Sequence, residues 1–474
     1  MVLDEPFLEF ADGTHVDVRA GIVESGTLDR DAQQIPKPIR VGLIGTSETT
    51  DGVLQWLETC GRGLPSGNRR YPELRPRFPG MQPAHFGTSI HVPPTKVRVL
   101  PKREFGEALA GSPSAVVDLV FAHASDVLDA GGVDVLVIAP PAELLVLERE
   151  PEPGAQRDGD TDSDDGATDA IDAPAFHDAF KARALTLAVP CQFIRPETYG
   201  GPNTQSKAKR RQSLQDEATR AWNFHTALYY KAGASPWRLL RSSSQLTTCY
   251  VGIAFFKEHG GDQLMTSVAQ VFNERGEGVI VRGSAARFHP RDRTPHLAGA
   301  DANKLVLDAL ESYRREHRTA PARLVVHKRS GFDQEEIDGC EGAAAEWKID
   351  DIELMSVRES GTKLLRAGTL PVLRGTTLAF DDASGIVYLR GAVPYFRTYP
   401  GLYVPTAFEF RVASGESTPF QVARELLELS KLNFNNTQFD GGEPITTRAA
   451  RRVGEILKHV PPGPLTATRF RYFT

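Results

Sequence analysis

The chain has 474 residues, 40% hydrophobic and 24% charged, enough apolar material for ordinary cores in two or three globular units. No run of 18 apolar residues occurs, and the start, Met1-Val2-Leu3-Asp4-Glu5-Pro6, lacks a basic head and an apolar stretch. The expectation is a chain with no membrane-spanning helix and no secretory signal. Four scattered cysteines (Cys60, Cys191, Cys249, Cys340) form no CxxC pair, which argues against a disulfide framework or zinc ribbon and fits a reducing cytoplasm. The net charge of −6 is unevenly spread: residues 148–172 hold ten acidic residues and two arginines, so the other 449 carry +2 and nucleic acid stays open as a partner.

In chain order, residues 1–35 read as a leader. Ile39–Gly45 is a buried-strand run, followed by a polar helix-start cluster (Ser47, Thr49, Thr50, Asp51) and a helix through Trp56 and Leu57. A strand at Lys96–Leu100, helices at Arg103–Ala110 and Ala115–Leu128, and a strand at Val133–Ala139 follow. The acidic stretch 148–172 has no aromatics or apolar periodicity and reads as a solvated loop. Asp160, Asp162 and Asp164 alternate as in a calcium loop, but Asp165 stands where the turn glycine belongs and Ile171 where the bidentate Glu belongs. A helix (Pro174–Leu187) and a strand (Val189–Ile194) complete an alternation that predicts a parallel, Rossmann-like sheet over residues 36–240. Gly42-Leu43-Ile44-Gly45-Thr46 lacks the glycine spacing that lets a pyrophosphate approach the backbone.

From residue 241 to 474 the rhythm changes. Strands are predicted at Leu246–Phe256, Val268–Asn273 and Gly278–Gly283, then a helix at Ala302–His317 and a buried strand at Arg323–Lys328. Further strands and two C-terminal helices follow. The order β-β-β-α-β is that of an RNase H-like domain, and Leu305, Leu307, Leu310 and Tyr313 form a core stripe on its helix.

Four segments carry a family resemblance. They are Asn223 to Trp237, ending Lys231-Ala232-Gly233-Ala234-Ser235-Pro236-Trp237; Cys249-Tyr250-Val251-Gly252-Ile253; Arg323-Leu324-Val325-Val326-His327-Lys328; and Leu429 to Asn436 with Glu443-Pro444-Ile445-Thr446 and the helix Arg448–His459. Together, in this order, they resemble a short prokaryotic Argonaute, made of MID and PIWI domains. Glu5-Pro6-Phe7-Leu8-Glu9-Phe10 resembles the leader of such proteins.

The resemblance implies a pocket for the 5′-phosphate of a guide strand at His177, Lys181, Gln192 and Lys231. The chemistry agrees: His177 and Lys181 are i and i+4 on one helix face, and ammonium, imidazole and amide groups offer charge-assisted hydrogen bonds to phosphate. The family often places Lys or Gln where Ala227 stands. Many bacterial members supply the missing charge with a divalent cation, here Mg²⁺, held by the C-terminal carboxylate, which makes Thr474 the candidate ligand. Lys207, Lys209, Arg210 and Arg211 are candidates for guide-backbone contacts and Tyr199 for stacking on the first base, worth about 1–3 kcal/mol.

An RNase H-like nuclease needs clustered carboxylates for two Mg²⁺ ions. At the positions the resemblance marks stand Ala254, Arg329 and Arg451, so an inactive PIWI domain is expected, with enzymatic activity in a partner. Asp262, Asp292 and Asp301 read as solvated loop residues. No GxSxG, HExxH or Walker loop competes. The resemblance implies a sensor that binds a short 5′-phosphorylated RNA guide and complementary single-stranded DNA. It would act as a heterodimer with an APAZ-containing effector, NAD-degrading (TIR or sirtuin-like) or a nuclease, in anti-plasmid or anti-phage immunity. The rivals are an autonomous nuclease with non-standard acids and a scaffold without guide binding.

Overall fold

The computed structural model describes every residue except 68–69, 148–175, 201–214, 241–245, 258–263, 273–277, 289–293, 366–370, 400–403, 440–441, 462 and 464. The acidic stretch lies outside the described residues. The chain divides into two compact units: one of Glu9–Trp237, Phe434–Gln438 and Thr474, the other of Met1–Leu8, Arg238–Asn433 and Phe439–Phe473.

The first unit is a parallel sheet with helices packed on it. Strand β1 (Ile39–Gly45) pairs in parallel with β2 (Ile90–His91), β3 (Val97–Val99) and β4 (Val135–Ala139), and β4 pairs in parallel with β5 (Cys191–Phe193). Helix α1 (Ser47–Gly61) follows β1. Its N-cap is Thr46, one residue before the expected cluster, and the Thr46 side chain accepts from the Thr49 amide. Helices α2 (Lys102–Gly111), α3 (Pro113–Asp129) and α4 (Phe176–Ala184) help to close a core of Ile44, Val116, Val120, Ile138, Phe176 and Phe180. Helix α5 (Glu217–Lys231) ends the run, capped by Asp216.

The second unit is built on an eight-stranded sheet. Strands β6 (Thr248–Lys257), β7 (Leu264–Phe272) and β8 (Ile280–Ala285) form an antiparallel meander, and β9 (Arg323–Lys328) joins β6 in parallel after helix α6 (Gly299–His317). That is the expected β-β-β-α-β order. After helix α7 (Gln334–Glu346), β10 (Asp351–Ser360) pairs in parallel with β9. Strands β11 (Thr377–Ala379), β12 (Ser384–Val387) and β13 (Ala407–Ser414) complete the sheet in the order β8-β7-β6-β9-β10-β13-β12-β11. Helices α8 (Pro419–Leu429) and α9 (Ile445–Leu457) close the unit.

Strand β9 alternates between two cores: Leu324 and Val326 join that of α6 and α7, and Val325 that of α8. On α6 the buried stripe is Leu305, Val306, Ala309, Leu310 and Tyr313, with Leu307 only partly buried. Asp301 lies in the first turn of α6, not in the expected loop, a placement that suits a carboxylate near a helix N-terminus. Asp262 and Asp292 fall outside the described residues.

The first eight residues belong to this second unit. Leu3 donates its amide to the Gly375 carbonyl (2.9 Å), and Glu5 receives Arg374 Nε (3.0 Å) and Lys431 Nζ (2.9 Å), both cations being buried. All four cysteines are buried thiols, and burial pushes Cys60, Cys249 and Cys340 up to about 12. Among the described residues no helix is long and apolar enough to cross a membrane.

On α8, Glu425 accepts from the Tyr250 hydroxyl (2.6 Å) and from Arg323 Nη1 (2.5 Å). Glu428, one turn on, is pushed up to about 7 by burial and then by Glu425, against the opposing Arg424. The folded chain binds this proton more tightly than the unfolded chain does, so stability falls as pH rises from the ordinary value of 4.5 through about 7 and is flat beyond. Glu428→Gln is therefore expected to stabilise the chain at pH 8 by on the order of 1–3 kcal/mol and to give no gain at pH 4. Denaturant titration at the two pH values checks this, and an equal effect at both would refute it.

Candidate nucleic-acid interface

Three of the expected site residues, His177, Lys181 and Gln192, gather at strand β5. Helix α4 is set by Phe176 and Phe180, which bury one face against Phe193 of that strand, with ring centroids 5.8 and 5.7 Å away. The same packing brings the His177 ring to 4.5 Å from Phe193. Lys181, one turn on, is carried inward and is 1% exposed. Its ammonium donates to the Cys191 carbonyl (2.7 Å) and to the main-chain oxygen of Thr474. An ammonium can be buried at tolerable cost only with its hydrogen bonds met, and here a strand carbonyl and the last residue meet two of them.

Gln192 is the middle residue of β5, opposite Val137 of β4. Its Nε2 donates to the Phe193 carbonyl (2.9 Å), and its Oε1 is buried with no partner among the described residues. His177 Nδ1 lies 2.7 Å from Asp178 Oδ1. Donation to Asp178 fixes the tautomer and leaves Nε2 as the second ring site.

Lys231 ends α5, a helix packed on β5. It is 2% exposed, and its ammonium donates to Asn435 Oδ1 at 3.2 Å. A cation in the last helical turn is also favoured by the helix dipole. Ala227, where the resemblance would allow Lys or Gln, is buried on the same helix.

Tyr199 ends a four-residue helix, Pro196–Tyr199. Its ring lies on Gly52 of α1, where an added Cβ would come within 2.8 Å of the ring. Arg220 Nη1 holds the helix by donating to the carbonyls of Glu197 and Thr198. The Tyr199 hydroxyl is buried without a partner among the described residues, and burial, then Glu48 and Glu197, pushes its ionisation upward. Lys207, Lys209, Arg210 and Arg211 lie outside the described residues.

Asp178 and Asn435 escaped the sequence reading as site residues. Asp178 is adjacent to His177 in sequence, so its signal was present. Asn435 sits 204 residues from Lys231, and only its place in an asparagine-rich segment pointed to it.

In the second unit, Ala254 lies on β6, Arg329 directly follows β9 and Arg451 lies on α9, and these three elements meet at one docking point. Helix α9 crosses the sheet where Gly252 leaves room for the Thr446 carbonyl: a Cβ there would lie 2.0 Å from that oxygen. His327 Nδ1 meets Thr446 Oγ1 at 2.7 Å, and Gly252 and His327 are direct neighbours across β6 and β9. Burial, then the Arg323 charge, pushes His327 down to about 3, so it pins α9 as a neutral ring. Ala254 and Arg329 stand two residues beyond Gly252 and His327. Arg451 stands five beyond Thr446, exposed, with Nη2 3.3 Å from Glu443 Oε2. A methyl group offers no metal ligand, and guanidinium groups repel cations.

Among the described residues one convergent ligand-type group occurs: His296, Asp333 and Glu336. Its centre is already cationic. Lys328 Nζ lies 2.5 Å from Glu336 Oε2, and His296 Nδ1 lies 2.8 Å from the same oxygen. Burial, opposed by Glu336, lowers the Lys328 ammonium below its ordinary value. Asp333 and Glu336 also form the capping box of α7, so these carboxylates act as structural acceptors.

No family model matches the chain, and no curated protein matches it. Solved structures do. The chain is similar to Clostridium butyricum Argonaute bound to a guide DNA and a 19-mer target DNA, at 15% identity and a TM-score of 0.64, over 98% of this chain and 53% of that one. It is equally similar to Drosophila Piwi, at 13% identity and a TM-score of 0.64, over 99% of this chain and 56% of that one. The chain thus spans about half the length of each, and it shares with them an α/β fold in which a Rossmann-like MID domain precedes an RNase H-like PIWI domain.

Proposed function

We propose that the chain is a guide-directed nucleic-acid sensor of the short prokaryotic Argonaute type, which binds the 5′-phosphate of a short RNA guide and pairs it with single-stranded DNA without cutting. The observation that carries this reading is the burial of two ammonium groups, Lys181 and Lys231, on elements packed on strand β5, with His177 and Gln192 beside Lys181. Two interior cations, an imidazole and an amide suit a phosphate monoester, which accepts charge-assisted hydrogen bonds from each. The fold supports it, and Clostridium butyricum Argonaute is a protein seen with guide and target DNA. Sequence specificity then comes from base pairing, the protein reading backbone and shape.

A Mg²⁺ ion at the guide end would have to take the place of the Lys181 ammonium at Thr474. Thr474 offers a main-chain oxygen and Gln192 a buried, unpartnered Oε1, and hard cations take oxygen ligands. When bound, the ion supplies positive charge against the phosphate. Lys181 supplies such a charge at Thr474 already. In the second domain, Ala254, Arg329 and Arg451 suit a cleft that accepts a backbone phosphate and leaves it intact. The reading extends to a cytoplasmic heterodimer with an APAZ-containing, NAD-degrading effector that target pairing switches on in defence against plasmids or phage. Pairing can shift such a partner only by its differential binding energy for the two states.

The Lys181→Met, Lys231→Met double variant tests the anchor, since methionine keeps bulk and apolar packing. Hydrogen bonds to charged groups are worth about 1.5–3 kcal/mol, so each lysine should contribute roughly a 10–100-fold preference for a 5′-phosphorylated over a 5′-hydroxyl oligonucleotide. Loss of that preference, with thermal stability retained, is the expected result. A variant that keeps it refutes the anchor. A wild-type preparation free of co-purified short oligonucleotides would favour the scaffold.

Cleavage is tested on the guide-loaded chain with end-labelled complementary DNA and Mg²⁺ or Mn²⁺. The expected outcome is intact target over hours. A discrete product that disappears on Asp333→Asn or Glu336→Gln substitution would favour the autonomous nuclease.

A further inference from the structure

Residues 61–80, Gly-Arg-Gly-Leu-Pro-Ser-Gly-Asn-Arg-Arg-Tyr-Pro-Glu-Leu-Arg-Pro-Arg-Phe-Pro-Gly, carry five arginines and one acid in a chain of net charge −6. This run begins at the end of α1 in the MID-like domain, and its described parts stand on a fixed base. Leu64 and Phe78 pair across its neck, with amide-to-carbonyl distances of 2.8 and 3.0 Å, and both side chains are buried. The descending limb is tied by its carbonyls: Arg19 Nη2 donates to Leu74 (2.9 Å), Ser66 Oγ to Arg75 (2.6 Å) and Trp222 Nε1 to Arg77 (3.1 Å).

With the backbone held this way, the guanidinium groups of Arg70, Arg75 and Arg77 are left at the surface. Arg70 stacks over the half-buried Tyr71, 5.3 Å from its centroid. Arg75 reaches Asp216 only at 3.9 Å. The Arg77 side chain has no partner among the described residues, and its charge is felt at His85, which burial first and Arg77 next lower below its ordinary value. No large apolar side chain is exposed on the described part of the loop, so nothing here inserts into a lipid surface.

We propose that Arg70, Tyr71, Arg75 and Arg77 form a second nucleic-acid contact, a platform for the sugar–phosphate backbone of a single strand. Exposed guanidinium groups interleaved with an aromatic ring and held on an ordered backbone are the chemistry that binds single strands without sequence preference. The loop sits on the N-terminal end of α5, where Gly67 packs against Asp216. Lys231 stands at the other end of that 15-residue helix, about 22 Å away along its axis. A contact here grips the strand well beyond its 5′ end. The proposal rests on the reading above for the class of ligand alone.

The test compares the full chain with an Arg70→Ala, Arg75→Ala, Arg77→Ala variant, using 20-nucleotide strands with a 5′-phosphate or a 5′-hydroxyl. The variant should bind both strands about tenfold more weakly, and the slope of log affinity against log salt should fall by about 2, the loss of three backbone contacts. The corresponding Arg→Lys variant should keep most of the salt slope, and unchanged thermal melting excludes a folding effect. Unchanged affinity and slope would overturn the proposal. So would a variant that keeps oligonucleotide binding and loses binding to poly-glutamate. Failure of the anchor is separately visible: a wild-type chain indifferent to the 5′-phosphate removes Lys181 and Lys231 from the account, while the loop effect is read on the hydroxyl strand alone.

Discussion

The MID-like domain turns on an ammonium taken out of water. Lys181 lies almost fully buried between the Cys191 carbonyl and the Thr474 main-chain oxygen, and a charge so placed is stable only while those acceptors stay where they are. The bond to Cys191 fixes the rotation of α4 against β5. Once that rotation is fixed, His177 falls on Phe193, because it is one helical turn from Lys181. Gln192 follows, because it is the next residue of the strand. Three side chains are therefore positioned by one requirement, and the last residue of the sequence is drawn to the same point.

Buried cations hold the PIWI-like domain in the same manner. Lys328 closes on Glu336 at the head of α7, and Arg374 with Lys431 closes on Glu5 near the start of the chain. Both pairs are more than nine-tenths buried on the cationic side, so removing a carboxylate would strand a charge and cost several kcal/mol, about 3–5 for a broken buried pair. The cations at Arg329 and Arg451 differ in being exposed. Interior cations in this domain fasten elements together, whereas Arg329 and Arg451 face outward.

Much of this was legible in the sequence where the signal is local. Strand β9 has the expected bounds, Arg323–Lys328, because a continuous apolar run flanked by polar residues marks a buried parallel strand. The i, i+4 spacing of His177 and Lys181 was a sound guide to a shared helix face. What failed depends on partners distant in sequence. The α6 stripe includes Val306 and Ala309 and half-exposes Leu307, since packing against α7 sets the stripe's centre. Asp301 looked like a loop residue because α6 begins at Gly299, and a glycine gives no helix signal. Asn435 could not be paired with Lys231, nor Glu5 with Arg374, because no spacing rule spans hundreds of residues.

Net charge was a poor guide for a related reason. At physiological salt a charge is felt over about 8 Å, so a net charge of −6 summed over the whole chain says little about the field at any one lysine. The two kinds of cation in the MID-like domain should differ in how salt reaches them. Lys181 and Lys231 are buried and little screened, while Arg70, Arg75 and Arg77 lie in water. On the proposed reading, preference for the 5′-phosphate should persist as salt is raised, while total affinity for a long strand falls steeply. The domain would then hold the end of a strand by desolvated contacts and its length by screened ones, a division of labour set by burial and not by the number of charges.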